Sequence, residues 1–194
     1  MHAMRAGTGE AARALTSATD GWYIRRMGGF DVIFRALQAT GVRYVIVGGV
    51  AVNLHGYQRF TKDVDIVIEL MPEEALRALE ALQTVGYSPR LPVKLSDFVN
   101  PAIRESWIRD KGMMVFQMYN DKIHQTVDIF ASYPVDFELL WNDSIAVDLP
   151  GASPRIASID HLILMKRQAD RPQDVIDIGM LEKIKQITAA RDKE

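Results

Sequence analysis

Tyr44-Val45-Ile46-Val47-Gly48-Gly49 and, after the thirteen residues 50–62, Asp63-Val64-Asp65-Ile66 are the stretches from which this chain is best read. The first is a short apolar strand ending in two glycines, and Val50 to His55 then reads as a short helix stopped by Gly56. A strand that turns through glycine into a helix lets backbone N–H groups approach a phosphate closely. Asp63 to Leu70 is a second strand, with Val64, Ile66, Ile68 and Leu70 on one face. Residues two apart on a strand share a face, so the carboxylates of Asp63 and Asp65 project together. Two neighbouring anions repel unless a cation lies between them, and a hard divalent ion such as Mg²⁺ suits two carboxylates plus substrate phosphates. Either feature alone also fits a plain structure: a tight turn, or a solvated strand face. Coupled in one short unit, they suit a nucleoside triphosphate with its metal.

A third acid lies further along. Asp128 sits in the apolar run Val127-Asp128-Ile129-Phe130, where a carboxylate is costly unless paired or metal-bound. Should its strand lie beside that of Asp63, about 4.8 Å away, three carboxylates would meet around a two-metal centre. Glu69 shares the parity of Asp65 but lies about 13 Å along the strand. Asp148, before Pro150 and Gly151, is a weaker rival at a strand end.

Outward from this unit, Phe30, Ile33, Phe34 and Leu37 mark a helix closed by Gly41. Pro72-Glu73-Glu74 opens another, with Leu76, Leu79 and Leu82 as its stripe and Gly86 as its end. Residues 87–99 read as irregular around Pro89 and Pro92, and Pro101 to Arg109 as helix. Met113 to Tyr119 and Gln125 to Ala131 form a hairpin about Asn120-Asp121-Lys122. A helical turn at Asp136 to Trp141, a strand at Ile145 to Leu149, and helices at Ile159 to Met165 and Pro172 to Ile184 follow. Strands and helices without regular alternation predict the α+β class. The organisation expected is one domain over 29–194, preceded by a mobile extension over residues 1–28. Trp107, Trp141, Met113, Met114 and Met118 are assigned to the core. Arg104, Arg109 and Lys111 are read as a solvated helix face, and His55 as a packed or exposed histidine.

Composition narrows the chemistry. The 194 residues contain no cysteine, so disulfides, thiolate nucleophiles and cysteine-ligated zinc are excluded, and the four histidines are scattered. The formal net charge of -2 gives no global field for nucleic acid, although local basic clusters remain open. No apolar run approaches the roughly 20 residues of a membrane span, and no apolar signal core follows Arg5 and Arg13. A cytoplasmic protein without a membrane partner is the expectation.

Val47-Gly48-Gly49, the thirteen-residue spacing and Asp63-Val64-Asp65-Ile66 resemble the signature of the DNA polymerase β-like nucleotidyltransferase superfamily. Arg59-Phe60-Thr61-Lys62-Asp63-Val64-Asp65 looks like the bacterial branch containing AbiEii-type toxins. So do Asp160-His161-Leu162-Ile163-Leu164-Met165-Lys166 and Arg171-Pro172-Gln173-Asp174-Val175-Ile176-Asp177. The similarity spans Phe30 to Leu181. It implies a short mixed sheet flanked by helices, and transfer of a nucleoside monophosphate from an NTP to a hydroxyl acceptor with Mg²⁺ or Mn²⁺. Asp63, Asp65 and Asp128 would hold the metals, and Asp128 would also serve as general base. Gly48, Gly49, Arg59, Thr61 and Lys166 would face the nucleotide, with Arg59 bracing the strand acids as an equal alternative and Lys166 a snorkelling lysine as its own. Asp174 and Asp177 would orient Lys166 or Arg171, or line a solvated helix face. The acceptor stays open among RNA such as a tRNA 3′ end, a protein hydroxyl and a small molecule. So does a toxin–antitoxin role with an antitoxin protein as partner. The alternative is a non-catalytic module of the same fold that binds a nucleotide or a partner.

Overall fold

The computed structural model describes residues 29–191, so the expected extension over residues 1–28 lies outside them. The described residues form an α+β fold of one seven-stranded mixed sheet and eight helices. Helix α1 (Phe30–Thr40) leads into β1 (Tyr44–Val47), which passes directly into α2 (Gly48–Leu54). β2 (Asp63–Ile68) and α3 (Pro72–Thr84) follow, then β3 (Ser88–Pro89), α4 (Leu95–Val99) and α5 (Pro101–Lys111). The hairpin β4 (Val115–Asn120) and β5 (Gln125–Phe130) precedes α6 (Phe137–Asn142), β6 (Ile145–Ala146) and β7 (Arg155–Ile156). Helices α7 (Ile159–Ala169) and α8 (Pro172–Arg191) complete the described chain.

Strand order across the sheet is β3-β4-β5-β2-β1-β7-β6. The centre is built from β2, antiparallel to β1 and parallel to β5. A parallel pair needs a long crossover, and here α3, β3, α4, α5 and β4 supply it. Apolar alternation makes this centre the core: Val64, Ile66, Val127 and Ile129 are fully buried. Phe30, Ile33, Phe34 and Leu37 of α1 are buried as their spacing requires, and Gly41 ends that helix at φ 71°. Asn100 caps α5 by accepting from the N–H groups of Ala102 and Ile103.

Several expectations need correction. The stretch 87–99 is not wholly irregular: Ser88–Pro89 pairs with β4, and Leu95–Val99 forms a helical turn whose Phe98 stacks on Phe116 at 4.5 Å. The strand expected over 145–149 keeps regular pairing only at Ile145–Ala146, against β7. Met118 is buried and Trp107 nearly so, but Met114 lies just before β4 and is 70% exposed. Arg104 is buried rather than solvated, and its guanidinium donates to the carbonyls of Phe98 and Val99. Among the described residues, no helix is long and apolar enough to cross a membrane.

Ile129 is fully buried beside Asp128 in the central pair. Ile129→Ala is expected to destabilise the fold by about 2–5 kcal/mol. Urea denaturation checks this: the midpoint should fall at an unchanged m-value.

Candidate active site

Strand parity and register bring the acids together. Asp63 and Asp65 share one face of β2, and the parallel pairing sets Asp65 directly opposite Asp128 and Asp63 opposite Thr126. On its other side Asp65 is opposite Val47, the residue before the glycines. The row therefore runs from the glycine turn through Asp65 to Asp128. Gln117, opposite Asp128 in the hairpin, donates its amide to Asp128 Oδ1 at 3.0 Å. Glu69 is taken up elsewhere by Arg43, which donates to both its oxygens. Asp148 lies beyond β6 at the opposite edge of the sheet, where it accepts from Ser153.

Electrostatics follow from this crowding. Burial pushes the Asp65 carboxyl up to about 6, and the charge of Asp128 adds to that. The Gly49 backbone N–H and the Arg171 charge pull it back, while Asp63 raises it further. Burial also raises Asp128; the Gln117 hydrogen bond opposes this, Asp63 reinforces it, and Arg90 lowers it. Two acids are thus held where ionisation is disfavoured until positive charge arrives.

The glycine turn is set tightly against this row. Gly48 has φ 62°, and a Cβ there would lie 2.0 Å from Asp65 Oδ2. A Cβ on Gly49 would lie 2.8 Å from both Arg59 Nη2 and Thr61 Oγ1. The space the glycines leave is therefore filled by the chain's own side chains. Thr61 Oγ1 donates to the Asp63 carbonyl at 3.2 Å. Asn53 of α2 clamps the backbone of Arg59 from both sides, donating to its carbonyl and accepting from its N–H, each at 2.9 Å. His55 hydrogen-bonds through Nε2 to the Ala157 carbonyl at 2.8 Å, which makes it a packed residue.

Lys166 is placed apart from the acid row. Its buried ammonium donates to Asp174 Oδ1 at 3.1 Å and Asp177 Oδ2 at 2.6 Å. Asp177 also pairs with Arg59, and Asp174 with Arg171. The structure thus brings Gly48, Gly49, Arg59 and Thr61 towards Asp63 and Asp65, whereas Lys166 is bonded to Asp174 and Asp177, which in turn hold Arg171 and Arg59. Gln117 was not anticipated as a member, and Arg171 only as a residue that Asp174 or Asp177 would orient. The register that puts Gln117 opposite Asp128 comes from a turn at 121–124 between the paired Asn120 and Gln125, not from the expected turn about Asn120-Asp121-Lys122.

No protein-family model matches the chain, and no curated protein matches it. Solved structures do. The lincosamide antibiotic adenylyltransferase LnuA, in its lincomycin-bound form, is 17% identical with a TM-score of 0.51, over 87% of this chain and 98% of that one. The antibiotic-resistance factor ANT(2'')-Ia is 14% identical with a TM-score of 0.54, over 90% and 93%. The likeness is one of fold: the chain has the polymerase β-like architecture of these proteins.

A raised Asp65 has a measurable consequence. The folded chain holds a proton on Asp65 that the unfolded chain has already lost, so stability falls as pH rises from about 4 through about 6. With divalent ions chelated, Asp65→Asn is expected to be more stable than the parent at pH 8, on the order of 2–3 kcal/mol. The gap should close towards pH 4; a gap constant with pH would contradict the assigned cause. Gly48→Ala is expected to lower the thermal midpoint, since its Cβ cannot coexist with the observed Asp65 position.

Proposed function

We propose that this chain is a metal-dependent nucleotidyltransferase that moves a nucleoside monophosphate from an NTP to a hydroxyl acceptor. The observation that carries the reading is the opposition of Asp65 and Asp128 across β2 and β5, with Asp63 on the face of Asp65. The shared fold with two antibiotic-modifying proteins supports it.

The residues fit a hard divalent cation. They offer oxygen donors and mutually repelling charge, without thiolate or imidazole. Among the described residues, no three acidic or imidazole side chains close a cage by themselves. Mg²⁺ does not require one, since it is commonly held by one or two carboxylates with water and phosphate oxygens completing its shell. Asp63, Asp65 and Asp128 would hold the ion, Mg²⁺ or Mn²⁺. Bound there, it neutralises triphosphate charge and steadies the attacking and leaving oxygens.

The chain's own groups account for the remainder. Asp128 is steadied at Oδ1 by Gln117, and takes the proton of the acceptor hydroxyl. Its raised pKa makes it a better base than an ordinary aspartate. The hydroxyl oxygen bonds to the α-phosphorus as the bridging bond to the β-phosphate breaks, and pyrophosphate departs. Gly48, Gly49, Arg59 and Thr61 form the nucleotide side, with Lys166 supporting Arg59 from below through Asp177. Positioning and charge stabilisation supply most of the catalysis. The two neighbours favour a small-molecule acceptor, one being an adenylyltransferase with lincomycin bound and the other an antibiotic-resistance factor. The AbiEii resemblance of the Arg59–Asp65 stretch keeps an RNA or protein acceptor, and a toxin role beside an antitoxin, within the same proposal.

The test is transfer of label from each of the four α-³²P NTPs with Mg²⁺ or Mn²⁺. Acceptors are total RNA, protein lysate, aminoglycosides and lincosamides. Label should appear in one fraction, fall by about 10²-fold or more in Asp65→Ala and Asp128→Ala, and vanish on chelation. Folded protein that labels nothing would leave the non-catalytic binding module as the better reading.

A further inference from the structure

The charged cluster between α7 and α8 lies outside the acid row, and its burial gradient assigns its members different tasks. Lys166 is 4% exposed, Asp174 1% and Asp177 0%. The Lys166 ammonium is committed to both carboxylates. Turning it towards a ligand would leave two buried anions short of a partner, which the interior tolerates poorly. Asp177 is further engaged by Arg59 Nε and by the Gln173 amide. Asp174 accepts from both the backbone N–H and Nε of Arg171, at 3.2 and 2.8 Å.

Three cations thus share two anions, which leaves one positive charge in excess, and the exposed member carries it. The Arg171 side chain is 71% exposed, against 20% for Arg59. Asp174 fixes it by Nε, with a longer contact of 3.4 Å to Nη2. Nη1 has no hydrogen-bond partner among the described residues. The place of Arg171 is set as well: Asp174, which holds it, shares Lys166 with Asp177, and Asp177 holds Arg59. Arg59, in the same network, lies against Gly49. The cluster is thereby tied, through Arg59, to the glycine end of the acid row. A guanidinium anchored at one edge keeps a planar fork of N–H groups that can reach two oxygens of a tetrahedral phosphate, which a buried ammonium cannot.

We propose that Arg171, tethered by Asp174, is the side chain that binds the β- and γ-phosphates of the nucleotide, and that Lys166 is the buried pin holding Asp174 and Asp177 for it. The inference rests on the transferase reading and deepens it by naming the triphosphate ligand.

The experiment is calorimetry on the full chain with Mn²⁺, using each of the four NTPs and the matching monophosphates. Arg171→Gln should weaken triphosphate binding about 10- to 100-fold and leave monophosphate binding nearly unchanged. Arg171→Lys should recover part of the loss, since it restores charge without the fork. Lys166→Met should lower the thermal midpoint, as a pin must. Equal triphosphate affinity in parent and Arg171→Gln would overturn the inference while leaving the transferase reading standing. Equal losses for mono- and triphosphate would also overturn it, by showing a merely structural role. A parent chain that binds none of the four triphosphates would bring down both.

Discussion

Gly48 approaches the Asp65 carboxylate more closely than any side chain would allow, and much of the site follows from that contact. A Cβ at this position would fall 2.0 Å from Oδ2. The positive φ of Gly48 then turns the chain from β1 into α2 within one residue, so that the Gly49 N–H meets the same carboxylate. The first turn of α2 is thereby fixed relative to the centre of the sheet. With Asp65 held from the β1 side and faced by Asp128 from the β5 side, its carboxylate has little freedom left. The crowding disfavours ionisation and also preorganises the acids, because the donor row is set by backbone register before any ligand arrives. The large buried core, continuous through β1, β2 and β5, offsets the repulsion.

The second support comes from the other end of the chain. Asp177 on α8 holds Arg59 in the segment ahead of β2, and Asn53 on α2 holds the backbone of the same residue. Residues more than a hundred positions apart thus press on Gly49 together. Buried ion clusters are weak evidence for stability, since desolvation consumes much of their attraction. A specific geometry is what this one supplies. Apolar side chains of similar volume would pack α8 against α7 equally well, but would leave Arg59 and Arg171 unaimed.

Much of this was legible in the sequence because it depends on short-range periodicity. The shared face of Asp63 and Asp65 follows from the strand repeat, and the hairpin itself, though not its register, follows from two apolar runs flanking a polar turn. The pairing of β2 with β5 was not legible, since a parallel neighbour reached by a long crossover leaves no local mark; the role of Asp128 stayed conditional on it. β3, β7 and α4 were missed for a related reason. Two-residue strands exist only through their partners, and a five-residue helix between Pro92 and Pro101 has too little length to show a period. The glycine pair was read as letting backbone N–H groups approach a phosphate, and the structure adds that its Cβ positions are filled by Asp65, Arg59 and Thr61. A Gly-Gly step announces close approach without saying what approaches. Lys166 presents the same ambiguity, because a lysine on a helix reads alike whether it faces a ligand or two buried carboxylates.

The two flanks of the acid row also differ in a way that gives the site a direction. On the glycine flank stand Arg59 and Arg171, both tied to α8 by buried carboxylates. On the β4 flank stand Gln117, bonded to Asp128, and Arg90, whose guanidinium lies 5.4 Å from the Tyr119 ring centroid. In-line displacement needs the attacking and leaving oxygens on opposite sides of the phosphorus. The proposed assignments of Asp128 as base and of the glycine flank as the triphosphate side meet that requirement together, and each constrains the other.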